Sequence, residues 1–357
     1  MREWTTWAPV VALLALLFTW QLDPGTVIGL ILAVLLGAAV LAAVHHAEVI
    51  AHRVGEPFGS LVLAVAVTVI EVGLIVTLMS SGAKDSATLA RDTVFAAVMI
   101  TLNGIVGLSV AVDAGRSGWA RFNMEGSGSA LSAVSAVAVL CLVLPNFTSA
   151  QGPTFSAPQL VFAAIVSSAL YFLFVMTQTR THRDYFLPVG EDGKTVDDAD
   201  HTESASNRAT MVSLALLLIS LVAIVGLAKT ESPAVTRIVA ALGLHPGFVG
   251  VVIALLVLGP ETLAAVRAAR RGRVQTSFNL AYGSAMASIG LTIPTMAILS
   301  LFLSTPLHLG LANVQILLLA LSIVASILTL GGSRANRLQA GVHLVLLATF
   351  VFLAAAP

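Results

Sequence analysis

The sequence predicts an all-α integral membrane protein of about eleven transmembrane helices, one at the N-terminus followed by two inverted five-helix repeats. Three observations carry that prediction. Hydrophobic residues make up 57% of the chain and charged residues only 10%, where soluble domains carry about 25% charge; mean hydropathy is +0.96. Apolar runs of about 20 residues, the length that spans a bilayer, recur along the whole chain. Two glutamates, Glu71 and Glu261, sit near the middle of two such runs, in matching places in the two halves.

Taken in order, the first stretch, MREWTTWAPVVALLALLFTW, has the basic residue and apolar body of a signal peptide. No small-x-small cleavage site follows it, only Trp20-Gln21-Leu22-Asp23, so it reads as a retained helix with Trp4, Trp7 and Trp20 at the interfaces. Spans then fall at about 7–22, 25–44, 58–80, 93–112, 129–148, 158–178, 210–228, 247–266, 278–304, 309–330 and 338–356. The run at 234–244 is too short to span and reads as a loop or interfacial turn. The organisation expected is an N-terminal helix (1–24), a first repeat (25–178), an acidic cytoplasmic linker (179–208) and a second repeat (209–357).

Basic residues set the orientation. With the N-terminus inside, 14 of the 18 Lys and Arg fall in inner segments, and only Lys84, Arg91, Lys229 and Arg237 lie outside. The positive-inside rule therefore predicts a multi-pass protein of the inner (plasma) membrane, N-terminus cytoplasmic and C-terminus outside. The Glu71 span then runs outward and the Glu261 span inward. Each is the second helix of its block, the pattern of inverted repeats that bring equivalent residues to mid-membrane.

A charge at bilayer depth costs roughly 2.5–3.5 kcal/mol even on lenient scales, so such residues face a cavity and serve a function. Two buried carboxylates can alternate between protons and a metal cation, each of which offsets the cost of burying charge. Glu71 and Glu261 are thus the expected cation, proton and metal ligands. Thr68, three residues before Glu71, shares its face and could ligate an ion or bond back to its own helix. Pro260 lacks an N–H and frees the carbonyl of Leu256, while Gly259 leaves the backbone accessible; the alternative is a plain proline kink.

The helix after each glutamate supplies polar residues. Ser277, Ser284, Ser288 and Thr292 form one helical face, and Thr93 and Thr101 share another, with Asn103 offset from it. They can line an ion pathway or mediate ordinary helix packing. His45, Glu48 and His52 share a face near the inner end of the second span, with His46 adjacent, and suit pH sensing or simple interfacial solvation. In the linker, Glu191, Asp192, Asp197, Asp198, Asp200 and Glu203 lack an EF-hand arrangement and read as solvated chain. The lone Cys141 cannot form an intrachain disulfide, and zero net charge points to no nucleic-acid partner. No cofactor motif and no paired-aspartate, serine–base or H-E-x-x-H motif of an intramembrane hydrolase occurs within the spans, so an enzyme is not expected. A passive channel shares the lined polar path and differs in lacking proton counter-flux. The partners expected are cations, protons and lipid, and the sequence is compatible with a homo-oligomer.

The stretches GEPFGSLVLAVAVTVIEVGLIVTLM (Gly55 to Met79) and TLARDTVFAAVMITLNGIVGLSV (Thr88 to Val110) resemble the first repeat of bacterial calcium/proton antiporters. LLVLGPETLAAVRAARRGRVQTSFNLAYGSAMASIGLTIPTMAI (Leu255 to Ile298) resembles the second. The likeness is to the calcium/cation antiporter superfamily, nearest its bacterial branch that also handles sodium and potassium. It implies alternating access, with Glu71 and Glu261 binding Ca2+ or protons by turns, and the Gly283-Ser284 pair matches the family pattern. Many relatives carry Gly-Asn-x-x-Glu in both repeats, where this chain has Thr68 and Leu258 in the asparagine places. Fewer amide oxygens bring selectivity over Na+ or K+ into question. Arg91 and Asp92 read as an ion pair at the outer entrance.

Overall fold

The computed structural model describes residues 3–20, 22, 25–54, 58–80, 86–189, 206–302 and 307–357. The acidic linker residues Glu191 to Glu203 lie outside the described residues. Among the described residues, eleven helical rods follow one another: α1 (Glu3–Thr19), α2 (Thr26–Val54), α3 (Phe58–Ser80), α4 (Leu89–Ser117), α5 (Met124–Phe147), α6 (Ala157–Thr181), α7 (Asn207–Ala241), α8 (Phe248–Arg270), α9 (Val274–Leu299), α10 (Asn313–Leu330) and α11 (Arg337–Ala355). Among the described residues, nine of these are long and apolar enough to cross a membrane, and shorter apolar stretches lie at Trp4–Thr19 and Ala64–Ser80. The protein is an all-α, multi-pass integral membrane protein.

Several boundaries differ from the sequence expectation for physical reasons. Helix α2 continues ten residues past the predicted end, because nothing between Val44 and Val54 breaks a helix, and so it carries the histidine cluster. The run at 234–244, expected as a loop, is helical to Ala241: α7 passes through Pro233 and buries Ala234 and Val239. At 1.5 Å per residue its 35 residues exceed the roughly 30 Å hydrocarbon core, so length alone did not mark this end as a separate element. Residues 309–312 are not helical. Leu309 and Gly310 donate to the Pro153 carbonyl at 3.1 and 2.9 Å, and Leu311 donates to Leu142 at 2.8 Å. Gly310 permits that approach, since a Cβ there would collide with Asn146 and lie 2.8 Å from Pro153 Cβ.

Two apolar cores meet at the centre. One joins α4, α5, α6, α9, α10 and α11, and the other joins α1, α2, α3 and α7. Helix α8 contributes to both, with Ala254 and Leu258 in the first and Ile253 and Val257 in the second. Helix α9 packs against α3, α4, α5, α6 and α8, which makes it the hub. Helix α4 is the most enclosed span and takes a wider i→i+5 turn over Ile100–Ile105, a feature frequent at functional or strained points. A short antiparallel pairing of β1 (Ala120–Arg121) with β2 (Arg334–Ala335) ties the loop after α4 to the α10–α11 loop.

Candidate functional site

Helices α3 and α8 are each 23 residues long, and each places its glutamate thirteen residues after its first residue and nine before its last. Both carboxylates therefore lie at mid-helix, where lipid depth is greatest. Helix α9 meets both. Ser284, Ser288 and Thr292 are four residues apart and so stack on one face. Ser288 Oγ donates to Glu71 Oε1 at 2.7 Å, and Thr292 Oγ1 donates to Glu71 Oε2 at 3.0 Å. Ser284 Oγ donates to Glu261 Oε2. One hydroxyl stripe thus serves two carboxylates from different halves of the chain.

The two glutamates differ in access. Glu71 is 3% exposed and closed off. Glu261 is half-buried and lines a cavity of about 390 Å³ that also touches Glu48, His52, Gln178, Asn279 and Ser284. Those residues sit at the end of α2, the end of α6 and the start of α9, so the cavity opens toward one end of the bundle. At the other end, where α4 and α8 begin, a separate cavity of about 310 Å³ is lined by Arg91, Asp92, His245, Gln315 and Phe350. Asp92 is buried there. It takes Arg91 Nη2 at 2.7 Å, Thr88 Oγ1 at 2.9 Å and Gln315 Nε2 at 3.3 Å, while Arg91 Nη1 donates to Gly310 O at 3.1 Å.

The remaining candidates divide. Thr68, one turn before Glu71, keeps a buried hydroxyl with no hydrogen bond among the described residues, as does Thr93. Gly259 faces open space, and α8 runs on through Pro260, which cannot donate to the Leu256 carbonyl. Thr262 bonds back to Leu258 O at 2.8 Å. Other residues are committed away from the carboxylates. Ser277 Oγ donates to Ala265 O at 2.6 Å, joining α9 to α8, and Thr101 Oγ1 bonds back to Ala97 O at 2.9 Å. Asn103 Nδ2 donates to Ser322 Oγ at 2.8 Å, and its Oδ1 lies 3.1 Å from His343 Nδ1. His343 Nε2 continues to Thr329 Oγ1 at 3.0 Å. The histidine cluster also splits: Glu48 and His52 face the cavity, whereas His46 is buried against Thr5 O at 2.9 Å and Ser213 Oγ at 3.2 Å.

Two polar features went unmarked in the sequence. His343 lies in the apolar run of α11, and an ionisable residue at that depth is itself a signal. Glu231 is buried on α7 beside Gly29 of α2, at the very end of an apolar run.

The sodium/calcium exchanger protein family profile matches residues 24–180 and 212–356. The protein y4hA of Sinorhizobium fredii, described as an ionic transporter, is 44% identical over 340 residues, covering 94% of this chain and 90% of that one. The sodium-potassium/proton antiporter ChaA of Escherichia coli is 33% identical over 349 residues, covering 96% and 93%. Among solved structures, native YfkE superposes with a TM-score of 0.70 at 16% identity over 99% of both chains. The H+/Ca2+ exchanger CAX superposes at 0.69, also at 16% identity, over 98% of this chain and 91% of that one. These two share the fold. The profile covers most of the chain, and the chain is a bacterial-type calcium/cation antiporter belonging to the sodium/calcium exchanger family.

Proposed function

We propose that this antiporter exports calcium in exchange for protons, by alternating access around Glu71 and Glu261. The observation that carries the reading is the single hydroxyl stripe of α9 bonded to both mid-membrane carboxylates. Two carboxylates bear two negative charges, neutralised equally by one divalent ion or two protons, so the site moves through the bilayer uncharged in either form. Calcium favours six to eight oxygen ligands. Both carboxylates, the hydroxyls of Ser284, Ser288 and Thr292, the unengaged hydroxyl of Thr68 and the Leu256 carbonyl are the oxygens available on these helices.

The chain forms one N-terminal helix and two inverted five-helix blocks, α2–α6 and α7–α11, in the inner membrane with the N-terminus cytoplasmic. The equal placement of Glu71 and Glu261 in equal-length helices supports the repeat, and the 14-to-4 distribution of basic residues supports the orientation. In that orientation the cavity at Glu261 faces the cytoplasm, and Arg91 and Asp92 close the outer side. A second reading keeps the site and changes the ion to sodium or potassium. The 33% identity to a sodium-potassium/proton antiporter favours it, as does the absence of asparagine at Thr68 and Leu258.

Inside-out vesicles with a preformed proton gradient test both. Calcium, sodium and potassium are added separately to wild type, Glu71→Gln and Glu261→Gln. Gradient collapse by calcium, abolished in both variants, is expected. Collapse by sodium or potassium alone selects the second reading, and retained exchange in either variant rejects the two-carboxylate mechanism.

A further inference from the structure

Of the described residues lining the cavity at Glu261, two carry carboxylates: Glu261 itself and Glu48. Glu48 is half-buried on α2, and His52, one turn farther along, is exposed. Much of the wall between them and Glu261 is apolar, made by Val67, Tyr171, Phe174 and Leu280. Asn279 shares that wall but is held, its Nδ2 donating to Phe186 O at 2.6 Å and its Oδ1 accepting from Gln275 Nε2 at 2.9 Å. It cannot swing to follow an ion.

A cation leaving water for such a cavity sheds part of its hydration at a cost that only a fixed opposite charge offsets. Glu48 is the carboxylate placed before Glu261 on this route. The charged groups around it are His52 on its own helix and Arg267 on α8, and Glu261 lies within its electrostatic reach. No ion pair closes on Glu48 among the described residues. Clefts lined by one sign of charge with low-dielectric walls raise the local counter-ion concentration.

We propose that Glu48 is the recruiting carboxylate of this access route: it draws the cation into the cavity from the side on which α2 ends and passes it to Glu261. The inference rests on the antiporter reading above.

The test is a sided transport assay on the full-length protein in vesicles of both orientations, using calcium, sodium or potassium, whichever wild type exchanges. Inert wild-type vesicles would fail the antiporter reading itself, before any Glu48 variant is compared. With active wild type, Glu48→Gln is expected to raise KM for cation added at the α2-end face by about tenfold, the low end of charge-steering effects. KM at the opposite face and the maximal rate stay near wild type, and Glu48→Asp restores most of the affinity. The variant's KM should also lose much of its dependence on ionic strength. An unchanged KM at the α2-end face overturns the proposal. So does an equal rise at both faces, which marks a packing role for Glu48, and so does Glu48→Asp behaving like Glu48→Gln.

Discussion

Replacing Ser288 with alanine removes one hydroxyl from between α9 and α3, and with it the 2.7 Å bond to Glu71 Oε1. Glu71 keeps Thr292 at 3.0 Å, so the carboxylate is weakened as an ion ligand without being abandoned. A hydrogen bond to a charged group contributes about 1.5–3 kcal/mol, and each 1.4 kcal/mol is about tenfold in affinity. The loss falls on the cation-loaded form, in which Glu71 must be ionised; the protonated form depends less on a donor. KM for the exchanged cation should therefore rise by roughly ten- to a hundredfold, and raising the pH should recover part of it as fewer protons compete. Ser277→Ala is the control, because its hydroxyl bonds the Ala265 carbonyl at 2.6 Å and not a carboxylate. That change should cost about 1 kcal/mol of stability and leave KM alone. Cation-dependent collapse of a pH gradient across inverted vesicles reads both. An unchanged KM in Ser288→Ala, or an equal loss in Ser277→Ala, would refute the assignment of the α9 stripe to the ion site.

Two further substitutions separate structure from transport. Asp92→Ala strands the largely buried Arg91 guanidinium, so thermal unfolding in detergent should show a loss of about 3 kcal/mol, largely recovered when Arg91 is also replaced by methionine; a silent single variant would contradict the buried pairing. Asn103→Leu leaves His343 Nδ1 and Ser322 without their partner, an expected cost of about 1–3 kcal/mol in stability, with KM for the cation unchanged; a large KM shift would show that this polar chain reaches the carboxylates after all.

Much of the fold was readable because bilayer depth imposes a simple rule on sequence. An apolar run of about 20 residues is a span, and among the described residues nine of the helical rods are long and apolar enough to cross a membrane, with shorter apolar helices at Trp4–Thr19 and Ala64–Ser80. Ends were harder to place. Helix α2 outlasted its apolar stretch through His45, Glu48 and His52, since hydropathy marks lipid contact and not the point where hydrogen bonding stops. Helix α7 ran past Pro233 for the related reason that a proline removes one bond without requiring the helix to end. Within the site, the four-residue spacing of Ser284, Ser288 and Thr292 placed them together on one face. Ser277, seven residues before Ser284, falls on the same face, so periodicity could not separate it from the three that meet carboxylates; its hydroxyl bonds the α8 backbone instead. Asn103, read from the sequence as offset from the Thr93 and Thr101 face, lies in the wider turn at Ile100–Ile105 and bonds Ser322 and His343.

The sharing of one stripe between two carboxylates bears on coupling. If each glutamate had its own supporting helix, one could load a cation while the other kept a proton, and slippage would follow. Here Ser284 reaches Glu261, while Ser288 and Thr292, one and two turns on, reach Glu71. The helix breaks at Leu291, between Val274–Gly290 and Thr292–Leu299, so Thr292 belongs to the second segment and the two serines to the first. A shift of the second segment loosens Glu71 from Thr292 while Ser288 still holds it. Movement of the first segment, by contrast, disturbs both carboxylates together. Gly290 sits at that break with α6 packed closely against it, a Cβ there lying 2.8 Å from Tyr171 Cβ, and Tyr171 also lines the cavity at Glu261. The cavity wall and the break in α9 are therefore in direct contact. Under the proposed exchange, opening or closing that wall would act on the helix whose hydroxyls bond both carboxylates.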